Sequence, residues 1–303
     1  MELIRRQKAL AEGHTDDELG RQCKSGALVR VRPGTYAAGA GFAELSAQDR
    51  YLLRIRSTAA AHNANIAISH VSAAALLGLP LWNVDLRRVH LTRASSSGGR
   101  ITQARHLHAS PLDAADCTTI GDLTVTSPQR TVVDVGRTED FEQSVVIGDA
   151  AVRTYYGIDP AAVIATMSGW PGLPAARRVC AFLDGRSESV GESRSRVLLS
   201  RIGLPTPELQ HQVFSADGLL LGRADFSFPE FGVLGEFDGR IKYGRLLRPG
   251  RTAGDAVFEE KRREDALRDA GWEMVRWTWS DLDEPQDLRR RFDRAIARGR
   301  ARI

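Results

Sequence analysis

Two runs near the carboxyl end constrain the fold most. Residues 219–228 (LLLGRADFSF) and 232–238 (GVLGEFD) are rich in branched and aromatic side chains, and Pro229, Glu230, Phe231 and Gly232 between them supply turn chemistry. The pattern predicts a β-hairpin. A symmetric loop that sets Phe228 against Val233 also sets Asp225 against Glu236, with Cβ atoms about 5 Å apart. Two facing carboxylates repel unless a cation or a shared proton lies between them, so the pair reads as a pair of metal ligands. Period-two alternation keeps Asp238 on the face of Glu236.

The segments around this hairpin can be placed in the same way. In RSESVGESRSRVLLSRIGL, Ser187 or Ser189 caps a helix whose apolar residues Val197, Leu198, Leu199 and Ile202 lead to Gly203 as the stop. Glu188 and Glu192 share one face of it at helical spacing. After the hairpin, a charged amphipathic helix is expected over 257–270, ending at Gly271, followed by a strand over 272–279. The order is helix, hairpin strands, helix, strand, with Glu192, Asp225, Glu236 and Asp238 converging. Oxygen-only ligands in small number suit Mg²⁺, or Mn²⁺ in its place, which retains waters and contacts substrate phosphate.

The amino end has a different character. Residues 3–38 read as two or three short helices and a hairpin: Thr15 caps an acidic first turn, Gly26 ends the second helix, and Pro33-Gly34 turns a strand that alternates apolar and basic residues (Val29-Arg30-Val31-Arg32). A helix pair followed by strand, turn and strand is the sequence form of a winged helix-turn-helix. Arg21, Gln22, Lys24 and Ser25 suit the outer face of a recognition helix, and Arg30 and Arg32 suit phosphate or the minor groove.

Between the two ends, residues 46–77 read as helix, and 88–92 and 123–126 as strands. Ser127-Pro128 opens a helix in which Arg130 and Asp134 pair at i and i+4 as a structural contact. His70, His90, His106 and His108 attract a metal reading, with His106 and His108 on one strand face. With no third ligand at short spacing, the expectation is ordinary hydrogen-bonded or solvent-facing histidines. GxSxG and GxxxxGK[ST] motifs are absent, so a serine-hydrolase elbow and a phosphate-cradling loop are not indicated. The division expected is 1–45, a winged helix; 46–138, an α/β domain; 139–185, a helical connector; and 186–303, a metal-site domain.

Composition sets outer bounds. The chain has 303 residues and a formal charge of +4, which permits nucleic-acid binding without demanding it. Four of its 42 basic residues are lysine, and two of these, Lys242 and Lys261, lie beside the acidic hairpin. Cys23, Cys117 and Cys180 are odd in number and widely spaced, which fits a reducing cytoplasm better than a disulfide framework. No stretch approaches the ~20 apolar residues of a membrane span.

Two resemblances sharpen these expectations. Residues 186–279 resemble the PD-(D/E)XK nuclease superfamily, most closely the restriction-endonuclease-like domains related to very-short-patch-repair endonucleases. That resemblance implies an α/β domain with a central mixed sheet flanked by helices, and puts Mg²⁺ on Glu192, Asp225 and Glu236. Where the family has a lysine two residues after the glutamate, this chain has Asp238, so the resemblance leaves Lys242 or Lys261 to supply the point charge. Residues 1–180, through HTDDELGRQCKSGALVRVRPGTYAAG, ISHVSAAALLGLPL, VHLT and LTVTSPQRTVVDVGR, resemble AbiEi-type antitoxins of type IV toxin–antitoxin systems. This second resemblance implies an α+β amino-terminal part, binding of double-stranded DNA, transcriptional regulation and a cognate nucleotidyltransferase-type toxin. The expected function is thus a DNA-binding, antitoxin-like regulator carrying a nuclease-like domain. The alternatives are an Mg²⁺-dependent DNA endonuclease targeted by its winged helix, and a non-catalytic interaction scaffold.

Overall fold

Local signals set the first elements. After β1 (Ile4–Arg5) and α1 (Arg6–Ala11), α2 (Asp16–Lys24) opens with a full capping box. Glu18 N–H donates to Thr15 Oγ1 at 3.2 Å and Thr15 N–H donates to Glu18 Oε2 at 2.9 Å. β2 (Leu28–Arg32) and β3 (Thr35–Ala38) follow, turned at Pro33-Gly34, where Gly34 takes a φ of 77°. The small sheet has the order β1-β3-β2, and Ala9, Leu19, Leu28 and Tyr36 form its core against the two helices. The computed structural model describes residues 1–59, 66–95, 98–239 and 253–300, without the side chains of 253–257, 259 and 260.

The chain divides into two units, Met1–Leu183 and Asp184–Ile303. In the first, α3 (Gly39–Glu44) and α4 (Ala47–Ala59) lead to β4 (Ile66–Ile68), α5 (His70–Leu76), β5 (Val89–Ala94), β6 (Arg100–Ile101), β7 (Arg105–Ser110), β8 (Cys117–Ile120) and β9 (Leu123–Thr126). The six strands form one sheet in the order β6-β7-β5-β4-β9-β8, in which β5 and β7, and β4 and β9, run parallel. The single helix expected over 46–77 is therefore interrupted. Ile66–Ile68 is recruited between β5 and β9, and pairing on both sides outweighs local helical preference in a three-residue segment.

Tyr51 and Ile55 of α4 pack on Ile68, Leu91 and Val125 of the sheet. α6 (Pro128–Thr138) starts where Ser127 Oγ accepts the Arg130 amide, with proline at the first helical position. α7 (Phe141–Thr154), α8 (Pro160–Ala165) and α9 (Leu173–Phe182) do not act as a bare connector: Val132 and Val135 of α6 share a core with Ile147, Ala150 and Ala151, and Val133 shares another with Ile164, Leu173 and Ala176.

The second unit runs α10 (Val190–Arg201), β10 (Glu208–Phe214), β11 (Leu220–Phe228), β12 (Val233–Phe237), α11 (Ala253–Asp269), β13 (Glu273–Trp277) and α12 (Pro285–Arg300). Its sheet has the order β10-β11-β12-β13, with β12 and β13 parallel and the other pairs antiparallel. Leu198 and Leu199 of α10 and Phe292 of α12 bury against Phe226, Phe228, Val233 and Trp277 on one face. Each such side chain removed from water contributes roughly 1.5–3 kcal/mol. Leu267 of α11 closes the other face on Val213 and Leu234. Both units are thus mixed α/β, and among the described residues no helix is long and apolar enough to cross a membrane.

Candidate functional site

The acidic hairpin folds in the expected register. Phe226 stands opposite Gly235, Ser227 opposite Leu234 and Phe228 opposite Val233, so the next step brings Asp225 opposite Glu236. Both leave the sheet on the face that carries Leu234, the one α11 covers. Asp225 Oδ2 accepts the Phe237 amide at 2.9 Å. Burial pushes the Asp225 carboxyl up to about 6; the Phe237 amide opposes this, the charges of Glu192 and Glu236 add to it, and Arg223 opposes it.

Glu236 is held differently. Arg263 Nη2 of α11 donates to its Oε1 at 2.6 Å and Arg276 Nε of β13 donates to its Oε2 at 2.9 Å. The cations that reach this carboxylate are arginines, where the sequence suggested lysine. Lys261 is exposed on α11 and Lys242 lies outside the described residues. Asp238 is exposed, one residue beyond the end of β12, with its amide donating to Trp277 O at 2.8 Å.

Glu192 sits in the first turn of α10, where Ser189, one of the two expected caps, accepts its amide at 3.2 Å and donates from Oγ to its Oε1 at 2.8 Å. Its Oε2 accepts the Glu188 amide and Gln210 Nε2, each at 2.8 Å. Gln210 adopts a left-handed φ of 56°, and its Oε1 is buried without a hydrogen-bond partner. A strained, half-satisfied amide beside a buried carboxylate is a functional-site signature that sequence reasoning missed, because it depends on a backbone conformation. α10 buries its leucines on the face opposite Asp225 and Glu236, and Glu192 acts on Asp225 through its charge. Among the described residues, no three carboxylates bring ligand atoms within 4.8 Å of one another.

At the amino end, Arg21 and Lys24 are exposed on the last turn of α2, Ser25 is exposed as the residue that caps it, and Gln22 is half-buried. Arg30 is exposed, its guanidinium 5.8 Å from the Tyr36 ring centre. Arg32 is half-buried, and its Nε makes no hydrogen bond. Burial lowers its pKa, and the like charges of Arg105 and Arg5 lower it further.

A third cluster joins histidines that lie far apart in sequence. His90 stands beside His106 in the parallel β5/β7 register, His108 follows at i+2 on the same face, and His70 joins them from the start of α5. His70 stacks on His108 and His108 on His106, with ring centres 3.7 Å apart in each case. His90 Nδ1 lies 3.2 Å from His108 Nε2. Burial pushes His70 well below the usual imidazole range, His90 to about 4 and His108 to about 3, and neighbouring cationic groups act in the same direction. His70 is buried, the other three are half-buried, and the four rings are held by one another rather than independent. Their spacing in sequence carried no local period; the alternation in RVHLT and RHLHAS was the available signal.

No family model matches the chain. Two uncharacterized proteins of Mycobacterium tuberculosis, MT2308 of strain CDC 1551 / Oshkosh and Rv2248 of strain ATCC 25618 / H37Rv, are each 28% identical to it over 292 residues, covering 94% of this chain and 98% of theirs. Among solved structures, the RV2827C protein from Mycobacterium tuberculosis aligns with a TM-score of 0.40 at 18% identity, covering 71% of this chain and 84% of that one.

Proposed function

We propose that this protein is a DNA-binding transcriptional regulator of the antitoxin-like kind, with a nuclease-like carboxyl-terminal unit. The observation that carries the reading is the set Arg21, Lys24 and Arg30, all exposed at the end of α2 and on β2, beside a half-buried Arg32 whose charge is disfavoured by burial and by Arg105 and Arg5. Cationic side chains presented by one small module are stabilised by the closely spaced negative charges of a phosphate backbone. The order α1, α2, β2, β3 supports a winged helix-turn-helix, with α2 presenting Arg21 and Lys24 toward the major groove and the β2–β3 hairpin as the wing. A nucleotidyltransferase-type toxin is the protein partner this reading implies, and the cytoplasm its location.

Electrophoretic shift of a duplex containing the protein's own promoter tests the proposal. Alanine at Arg21, Lys24, Arg30 and Arg32 together weakens the shift and flattens its salt dependence if the reading is right. Binding unaltered by all four changes removes the winged-helix assignment, and a chain that never binds duplex DNA favours the scaffold.

Cleavage is the second reading, and the raised Asp225 carboxyl favours it. A proton held to about pH 6 by burial and by two neighbouring carboxylates is one that a divalent cation would displace. Asp225 and Glu236 would hold Mg²⁺, with Glu192 assisting, and the ion would supply a lowered water pKa and charge stabilisation at phosphorus. Both Glu236 oxygens are already engaged by arginine, which places the regulator reading first. Plasmid incubated with Mg²⁺ or Mn²⁺, beside Asp225→Ala and Glu236→Ala, separates the two. Intact plasmid, or nicking that persists in both variants, eliminates the endonuclease.

A further inference from the structure

We propose that His70, His90 and His108 form a three-nitrogen binding site for a zinc-class divalent ion, in a cavity of the first unit that is separate from the acidic hairpin. The candidate ligand nitrogens of these three rings all lie within 4.8 Å of one another. The His90 Nδ1 to His108 Nε2 separation of 3.2 Å is close to the spacing of two nitrogens on one tetrahedral ion, about 3.3 Å for bonds of about 2.0–2.1 Å.

The surroundings fit a ligand role. The outer nitrogen of His70, Nδ1, lies 2.9 Å from Ser69 Oγ, which in turn accepts Thr92 Oγ1–H at 2.7 Å. A hydroxyl on Nδ1 leaves Nε2 for the ion, the usual division of labour in a metal-bound imidazole, and the His70 ring, now stacked on His108 with planes 13° apart, has to turn out of that stack for both lone pairs to reach one ion. His70 also holds a left-handed φ of 52° while only 2% exposed. Such a conformation costs on the order of 1–3 kcal/mol in a non-glycine residue and persists where the surrounding structure imposes it, most often at a site.

The donor set selects the ion. Three imidazoles with no carboxylate suit Zn²⁺, Co²⁺, Ni²⁺ or Cu²⁺ and discriminate against Mg²⁺ and Ca²⁺. A cavity of about 280 Å³, lined by His70, His106, His108, Gly99, Arg137 and Thr138, leaves space for a fourth ligand. Arg137 on that wall, bonded to Asp134 at 3.3 Å, favours an anionic occupant of this position, a hydroxide or a small oxyanion. Three histidines with one open position match a reactive zinc centre more closely than a closed structural one.

The test uses the full chain without an affinity tag, stripped with chelator. On titration with Co²⁺, the account expects one equivalent bound per chain with the intense visible absorption of a tetrahedral ion, and displacement by Zn²⁺. His90→Ala and His108→Gln, checked for folding by circular dichroism, should each weaken Zn²⁺ binding by about 100-fold or more, and Ser69→Ala by about 10-fold. Absence of Co²⁺ uptake by the unaltered chain at micromolar concentration overturns the proposal. Uptake that persists undiminished in both folded histidine variants overturns it as well, the rings then being a hydrogen-bonded stack.

Discussion

Asp225 Oδ2 accepts the backbone amide of Phe237 at 2.9 Å, across the same register that sets Asp225 opposite Glu236. One hydrogen bond thus ties the acidic residue of one strand to the end of the next, and it fixes a carboxyl whose affinity for a proton is raised by burial and by two acidic neighbours.

The first prediction follows from that shift. With its folded pKa raised to about 6, Asp225 binds a proton more tightly in the folded chain than in the unfolded one. Its contribution to stability is therefore present below about pH 4 and lost as pH rises through about 6. Asp225→Asn, which keeps an oxygen for the Phe237 amide, should raise stability at pH 7.5 by on the order of 2 kcal/mol and flatten the dependence between pH 4 and 7. Urea unfolding across that range measures it, and an unchanged pH slope contradicts it.

The second prediction concerns the Arg130–Asp134 pair. Arg130 is 1% exposed and Asp134 is fully buried, with Nε to Oδ1 at 3.1 Å and Nη1 reaching Asp116 at 2.8 Å. The guanidinium also lies 4.9 Å from the Trp170 ring centre, joining α6 to the segment before α9. Removing one partner of a buried pair typically costs about 3–5 kcal/mol, because the other charge is left uncompensated. Asp134→Ala and Arg130→Ala should each approach that loss in urea unfolding, and the double variant should lose less than their sum. Strict additivity would show that the two side chains act independently.

The third prediction tests how α10 meets the sheet. A Cβ on Gly191 would fall 1.9 Å from the Phe237 ring, which packs edge-on against Trp279 with ring centres 5.0 Å apart. Gly191→Ala should cost about 1–3 kcal/mol by overpacking, as read in thermal unfolding. Combining it with Phe237→Ala should cost less than the two changes summed, since the second removes the clash. A neutral Gly191→Ala would mean that α10 sits farther from β12.

Legibility followed sequence distance. The hairpin register could be read because residues 229–232 carry turn chemistry between two β-rich runs, and Gly203 and Gly271 mark helix ends at left-handed φ values of 74° and 91°. Thr15 as cap, and Ser189 as one of two candidate caps, were equally local. By contrast, β4 has three residues and exists because β5 and β9 flank it, which no window of sequence displays. The histidine trio joins positions twenty and eighteen residues apart through a parallel crossover, so periodicity is silent on it. The arginines that engage Glu236 come from α11 and β13, and nothing around residue 236 announces them.

The central claim, that α2 and the β2–β3 hairpin grip duplex DNA through phosphate contacts, is tested most directly by measuring affinity against salt concentration. For the unaltered chain the account predicts a linear fall of log affinity with log salt. The Arg21, Lys24, Arg30 and Arg32 alanine variant should show a slope shallower by about 3 to 4, close to one released counterion per lost contact. Identical slopes for the two proteins would contradict it.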